Sequence, residues 1–194
     1  ESRIYSGPFE VTETTRIRAV AMAGKVVGIP AEALLSRMPH DWDLTIASTV
    51  NRQYTGGGPK GLIDGIRGTT NFASGEWQGY QGQDLVGVID LRRPTEINSV
   101  GAGLLQVARS WIWMPSKMTF ESSLDGVTFT PLAEIKTDLD SREMTPTIRD
   151  YRVKVPSIKT RYIRLHIYNF GKIPSWHPGA GFDAFIFIDE VFLN

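Results

Sequence analysis

The sequence predicts an all-β chain: an antiparallel β-sandwich preceded by a fragment of a second β module. Three observations carry this. Apolar residues alternate with a period of two through most of the chain. Turn signals punctuate the alternating runs, at "GGGPKG" (56–61), "SLDG" (123–126), "VPS" (155–157) and "PGAG" (178–181). Helical signals are few. Only "AEALLSRM" (31–38) suggests two turns of helix, where a change of composition suggests a linker.

Taken in order, "TRIRAVAM" (15–22) is the first strand and puts Ile17, Ala19 and Ala21 on one face. "GVIDL" (87–91), "MTFESSLDGVTF" (118–129) and "DYRVKV" (150–155) follow. In "RYIRLHIYNF" (161–170), Ile163, Leu165 and Ile167 form an inward row, and Tyr162, Arg164, His166 and Tyr168 the opposite one. "AFIFIDEVFL" (184–193) is apolar on both faces, the pattern of a central strand covered on each side. With 194 residues the chain has room for one large or two small domains. A sandwich of ~150 residues buries roughly 68–70% of its unfolded surface, so its core needs no staple.

Composition excludes several functions. There is no cysteine, hence no thiol catalysis, cysteine-bound zinc or disulfide. Lys+Arg and Asp+Glu both total 21, so no overall field favours nucleic acid or an acidic membrane. No apolar run approaches the ~18 residues of a membrane span. The opening "ESRIYSGPFE" has neither an initiator methionine nor a signal peptide, and reads as a cut inside a longer polypeptide, with any export signal upstream.

Five stretches in order, "KGLIDGIRGT" (60–69), "WQGYQGQDLVGVIDL" (77–91), "ARSWIWMPSKMTFESSLDGVTF" (108–129), "TRYIRLHIYNFG" (160–171) and "FIFIDEV" (185–191), resemble the discoidin domain. That family is also called the coagulation factor 5/8 type C domain, and it includes many bacterial carbohydrate-binding modules. The resemblance spans roughly 40–194. With "NFASGEWQGYQG" (71–82) and "PSWHPGAG" (174–181), it is similar to C-terminal modules of Bacteroidetes chitobiases, which are β-N-acetylhexosaminidases. It implies a jelly-roll, galactose-binding-domain-like sandwich over 37–194. Residues 1–36 look like the last strands of an immunoglobulin-like module plus a linker.

The resemblance also implies a structural calcium in the "LIDGIRGT" loop. Asp64 and Glu190 would supply carboxylates, Thr69 a hydroxyl or carbonyl, and Gly61, Ile66 and Asp189 main-chain carbonyls. Calcium takes six to eight hard oxygens at flexible geometry, which suits a glycine-punctuated loop. The alternative is a plain Asp64-Gly65 turn, with Glu190 paired to an arginine such as Arg67. On either reading, two acids in an apolar strand call for counter-charge.

The second constellation is aromatic. Counting outward from Met118 and Phe120 puts Trp111 and Trp113 on the outer row, while Trp77, Tyr80, Trp176 and His177 fall in or beside loops. Sugars bind by laying a C–H face on such rings while polar groups fix the hydroxyls. Asn71, Arg109, Gln78 and His177 are the polar candidates. Against this stands simple packing, because tryptophans are highly buried on average.

Catalysis by this chain is not expected. Glycoside hydrolysis needs two carboxylates about 5–10 Å apart across a cleft, and those in "TDLDSRE" (137–143) and at Asp41 and Asp43 read as solvated loop charge. The three histidines show no metal spacing, and "GGGPKG" misses the phosphate-loop pattern. The expected function is a non-catalytic carbohydrate-binding module on a glycoside hydrolase, secreted, periplasmic or cell-surface, and monomeric. Its partners would be a hexosamine- or galactose-containing glycan and the parent's catalytic domain, without nucleic acid or membrane. A purely structural accessory domain is the alternative. A third reading, cell-surface adhesion, would use "RSWIWMPSK" (109–117) as an apolar, basic spike.

Overall fold

The computed structural model describes residues 3–35 and 37–194. They fall into two compact units, Glu1–Met38 and Pro39–Asn194.

In the first unit β1 (Thr15–Ala19) pairs antiparallel with β4 (Ala31–Leu35), Ile17 opposite Ala33. Between them β2 (Met22–Ala23) and β3 (Val26–Val27) form a hairpin turned by Gly24, whose φ of 60° suits glycine. The helix expected over 31–38 is therefore a strand as far as Leu35, and Ser36 lies outside the described residues. Two isolated turns of helix are marginal in water, whereas β1 offers a ladder of partners. The apolar side chains of Met22, Val26, Val27 and Ile29 are exposed.

The second unit is the sandwich. Its strands are β5 (Asp43–Ile46), β6 (Gln78–Gln81), β7 (Leu85–Gln106), β8 (Lys117–Ser123), β9 (Thr130–Lys136), β10 (Thr147–Tyr168) and β11 (Phe185–Leu193). They hydrogen-bond in the order β6-β11-β7-β10-β8-β9, and β5 also pairs with β7. Strands β7 and β10 are 22 residues each, far beyond the usual five or six. Register shifts between Lys154 and Ile158 and between Thr160 and Tyr162 interrupt their ladder. Such bulges bend a strand, which lets one pair serve both layers.

The predicted rows on β10 hold: Ile163, Leu165 and Ile167 are buried, and Tyr162, Arg164, His166 and Tyr168 are half-buried. Strand β11 is buried from Ile186 to Phe192, as its two-sided apolar pattern requires. The main core joins Leu44, Leu62, Tyr80, Leu104, Phe120 and Ile188. A second cluster around Trp77, Leu105 and Phe187 packs with Tyr54 and Phe72. A third, around Trp113 and Ile173, is covered by Trp111, Phe170 and Trp176.

Candidate functional site

The chain leaving β10 is anchored before it can wander. The Asn169 side-chain amide donates to the carbonyls of Tyr80, Gln83 and Ala184 at 3.1–3.2 Å. The loop then closes on itself: Ile173 N donates to Phe182 O at 2.9 Å and Ala184 N to Gly171 O at 2.9 Å. What it covers is Trp113. That indole is fully buried, stacked on Phe170 at 5.4 Å and met edge-on by Trp176 and His177 at 6.4 and 5.3 Å. Its Nε1 donates to Ser141 O at 3.0 Å, satisfying the one polar atom.

Trp113 is therefore a plug and not on the outer row. Alternation counted back from Phe120 fails because the strand begins only at Lys117, and Trp111 turns the chain with φ 66°, outside β geometry. The same break aims the Trp111 indole over Gly179, where a Cβ would stand 2.8 Å from the ring. Phe182 stacks on that indole at 5.3 Å with an interplanar angle of 21°, and is itself 61% exposed. Nearby Trp176 is half-buried, and the Arg142 guanidinium lies 5.2 Å from its ring. Exposed Arg109, two residues before Trp111, has no ion pair among the described residues. Trp111, Trp176 and Phe182, with Arg142 over the Trp176 ring, thus make an aromatic, basic rim around a sealed plug.

Other candidates lie elsewhere. His177 is buried, and its Nδ1 accepts Gly179 N–H at 3.0 Å, which assigns the proton to Nε2 and leaves it a loop fastener. Trp77 and Tyr80 are core residues at 1% and 0% exposure, so neither can face a ligand. Trp77 Nε1 donates to Thr69 O at 2.8 Å. Gln78 is buried as well: its amide holds the carbonyls of Gly56 and Gly58, and its Oε1 takes the Tyr80 hydroxyl at 2.7 Å. Asn71 is exposed in the 69–76 turn, where its Oδ1 accepts Ala73 N–H. In "RSWIWMPSK" Ile112, Trp113 and Met114 are buried, so the apolar spike that adhesion needs is absent.

The Asp189–Glu190 pair lies against the 64–68 turn, and Arg67 pairs with Asp189. Asp189 is fully buried. Its Oδ2 accepts Arg67 Nε at 2.9 Å and Gly68 N–H at 2.8 Å, while Oδ1 is buried without a hydrogen bond. Among the described residues no arginine pairs with Glu190; its Oε2 accepts Gly65 N–H at 3.0 Å. Asp64 Oδ1 accepts Ile66 N–H at 2.8 Å. Burial pushes the Glu190 carboxyl up to about 7 despite that Gly65 bond, and neighbouring Asp64 and Asp189 add to the rise. Burial raises Asp64 and Asp189 in the same way. Crowded, desolvated carboxylates and an orphaned oxygen would suit a cation in charge. Thr69 fits poorly, its carbonyl taken by Trp77 and its hydroxyl by Asn71 N–H at 3.2 Å. Among the described residues no three acidic or imidazole side chains converge as a cation set, so main-chain carbonyls such as those of Gly61 and Ile66 would have to complete one.

A model of the F5/8 type C domain family matches residues 45–183. The chain belongs to that family. No curated protein sequence matches it. The F5/8 type C domain is similar in structure to the CBM32-3 module of a family 31 glycoside hydrolase from Clostridium perfringens. The identity is 12%, over 78% of this chain and 89% of that one, with a TM-score of 0.51. It is also similar to the C. perfringens module CpGH89CBM32-5, solved in complex with GalNAc-β-1,3-galactose (17% identity, 78% and 94% covered, TM-score 0.50). A third similar structure is the C-terminal domain of a Bacteroides fragilis chitobiase (18%, 81% and 95%, TM-score 0.46). At these identities the likeness is one of fold.

Phe182, Phe170 and Arg142 were not singled out from the sequence. Phe182 had a legible signal, a lone aromatic straight after the "PGAG" turn and before the last strand. Arg142 had none, because 34 positions separate it from Trp176.

Proposed function

We propose that the Pro39–Asn194 unit is a non-catalytic carbohydrate-binding module that holds a glycan against the rim of Trp111, Phe182 and Trp176. One observation carries this reading: a large exposed phenyl ring stacked on an indole. Exposed aromatic surface at one end of a sandwich marks an interaction site, and flat rings beside guanidinium donors suit the two faces of a sugar. The similar C. perfringens module, solved with GalNAc-β-1,3-galactose, supports a hexosamine- or galactose-containing ligand. A glycan array followed by calorimetry tests it. Phe182→Ala and Trp111→Ala should each weaken the best ligand tenfold or more, about 1.4 kcal/mol. A domain that ignores every glycan yet binds a glycoside hydrolase catalytic domain is instead a structural accessory, since interfaces also favour Trp and Tyr.

The remaining parts of the reading belong with it. The parent polypeptide is a secreted, periplasmic or cell-surface β-N-acetylhexosaminidase; the sandwich is monomeric; and residues 1–36 are the last strands of an immunoglobulin-like module plus a linker. Calcium sits between Asp64, Glu190 and carbonyls of the 61–66 turn and the last strand, where it neutralises buried charge and takes no part in chemistry. Added calcium should raise the melting temperature of EDTA-stripped protein; no shift counts against the ion.

A further inference from the structure

We propose that the outward face of β8, β9 and β10 carries a second saccharide site, separate from the rim, which takes a neutral sugar through its hydroxyls. The site is an open groove of about 470 Å³, inside the roughly 300–1,000 Å³ range of small-molecule pockets.

A mismatch in side-chain size creates it. Met118 and Phe120 are buried, so Thr119 faces outward. It lies directly opposite Glu134 on β9 and His166 on β10, with Glu121 opposite Arg164 and Lys117 opposite Tyr168 in the flanking rows. A threonine ringed by longer side chains leaves a hollow.

The walls are held in place before any ligand arrives. The His166 and Tyr168 rings stack at 3.7 Å and 15°. His166 Nε2 is 2.7 Å from Asp84 Oδ2, and Lys117 Nζ lies 4.8 Å from the Tyr168 centroid. Glu121 uses Oε2 for Arg164 at 2.5 Å, and Glu134 uses Oε2 for Lys117 at 3.0 Å. Among the described residues neither Oε1 accepts a hydrogen bond. Carboxylate oxygens only accept, so the groove offers two lone-pair-rich walls beside aromatic rings. Each carboxylate already faces a fixed cation, which removes the demand for a charged ligand. An uncharged molecule rich in O–H donors, with C–H faces for the rings, answers all of this.

The test is an amide chemical-shift titration of the whole chain with methyl glucoside, N-acetylglucosamine and lactose. Saturable changes at Thr119, His166 and Tyr168 should appear with at least one sugar. They should persist in Trp111→Ala, which disables the rim. Thr119→Tyr, a filling substitution suited to a strand, should weaken them at least tenfold and leave rim shifts unchanged. No saturable change with any of the three sugars overturns the site, as does a change indifferent to Thr119→Tyr. A response to tetramethylammonium in place of the sugars would make it a cation groove and also overturn the assignment. Because Trp111→Ala separates the two places, failure of the rim and failure of the groove read out independently.

Discussion

Arg67 and Asp189, 122 positions apart in the chain, meet at 2.9 Å between Nε and Oδ2 and clasp an early turn to the last strand. The same guanidinium holds Asp150 Oδ1 and Oδ2 at 2.5 and 3.1 Å and lies 4.8 Å from the Phe192 ring. Gly103 makes room for the clasp, since a Cβ there would collide with Asp189 Oδ1 and Arg67.

Removing the cation should therefore hurt more than an exposed ion pair would suggest. Arg67→Met leaves Asp189 buried and unpaired, at a cost of about 3–5 kcal/mol. Urea denaturation measures it, and Asp189→Asn added to Arg67→Met should recover part of the loss. A cost below about 1 kcal/mol would mean the clasp is ornamental.

The two neighbouring tryptophans should behave oppositely. Trp113→Ala opens a cavity under the 170–184 loop and should cost about 3–5 kcal/mol. Trp111→Ala, half-exposed, should cost about 1 kcal/mol while weakening glycan binding. Equal melting temperatures for the two variants would contradict the plug.

Glu190 sets a pH dependence whose sign can be worked out. Its folded pKa of about 7 stands above the unfolded 4.5, so the folded state binds the proton more tightly. That contribution is complete below pH 4.5 and is lost as pH rises through 7. The span is of order 3 kcal/mol at most. In EDTA, Glu190→Gln should outlast the native chain at pH 8 and lose the advantage near pH 4. A native chain whose metal-free stability rises from pH 5 to 8 relative to that variant would reverse the sign.

The glycine loop gives a local test. Gly61 packs so closely on the Gly56 carbonyl that a Cβ would collide with it, and Gln78 fastens the same carbonyl at 3.1 Å. Gly61→Ala should lower the melting temperature by several degrees, about 1–3 kcal/mol. Gly58→Ala meets no neighbour; only its φ of 76° opposes it, so its loss should be smaller.

Strands with a strong apolar pattern were legible beforehand: the alternating Ile163–Leu165–Ile167 row and the continuously apolar Phe185–Leu193 strand are where the pattern put them. The edge strand β9 was not, because "TPLAEIK" carries a proline and weak alternation, and only pairing with β8 makes it a strand. The resemblance implied that the Asp189–Glu190 pair returns to the Asp64 turn, but not which acid Arg67 would take.

By itself the sequence determined the all-β class and the central place of the last strand, because side-chain period is a local property of the chain; that the acids of that strand meet an early turn came from the family resemblance. Tertiary structure alone decided that Trp113 is sealed while Phe182 stands open on Trp111. A single left-handed residue and a returning loop made that choice, and neither leaves a periodic trace.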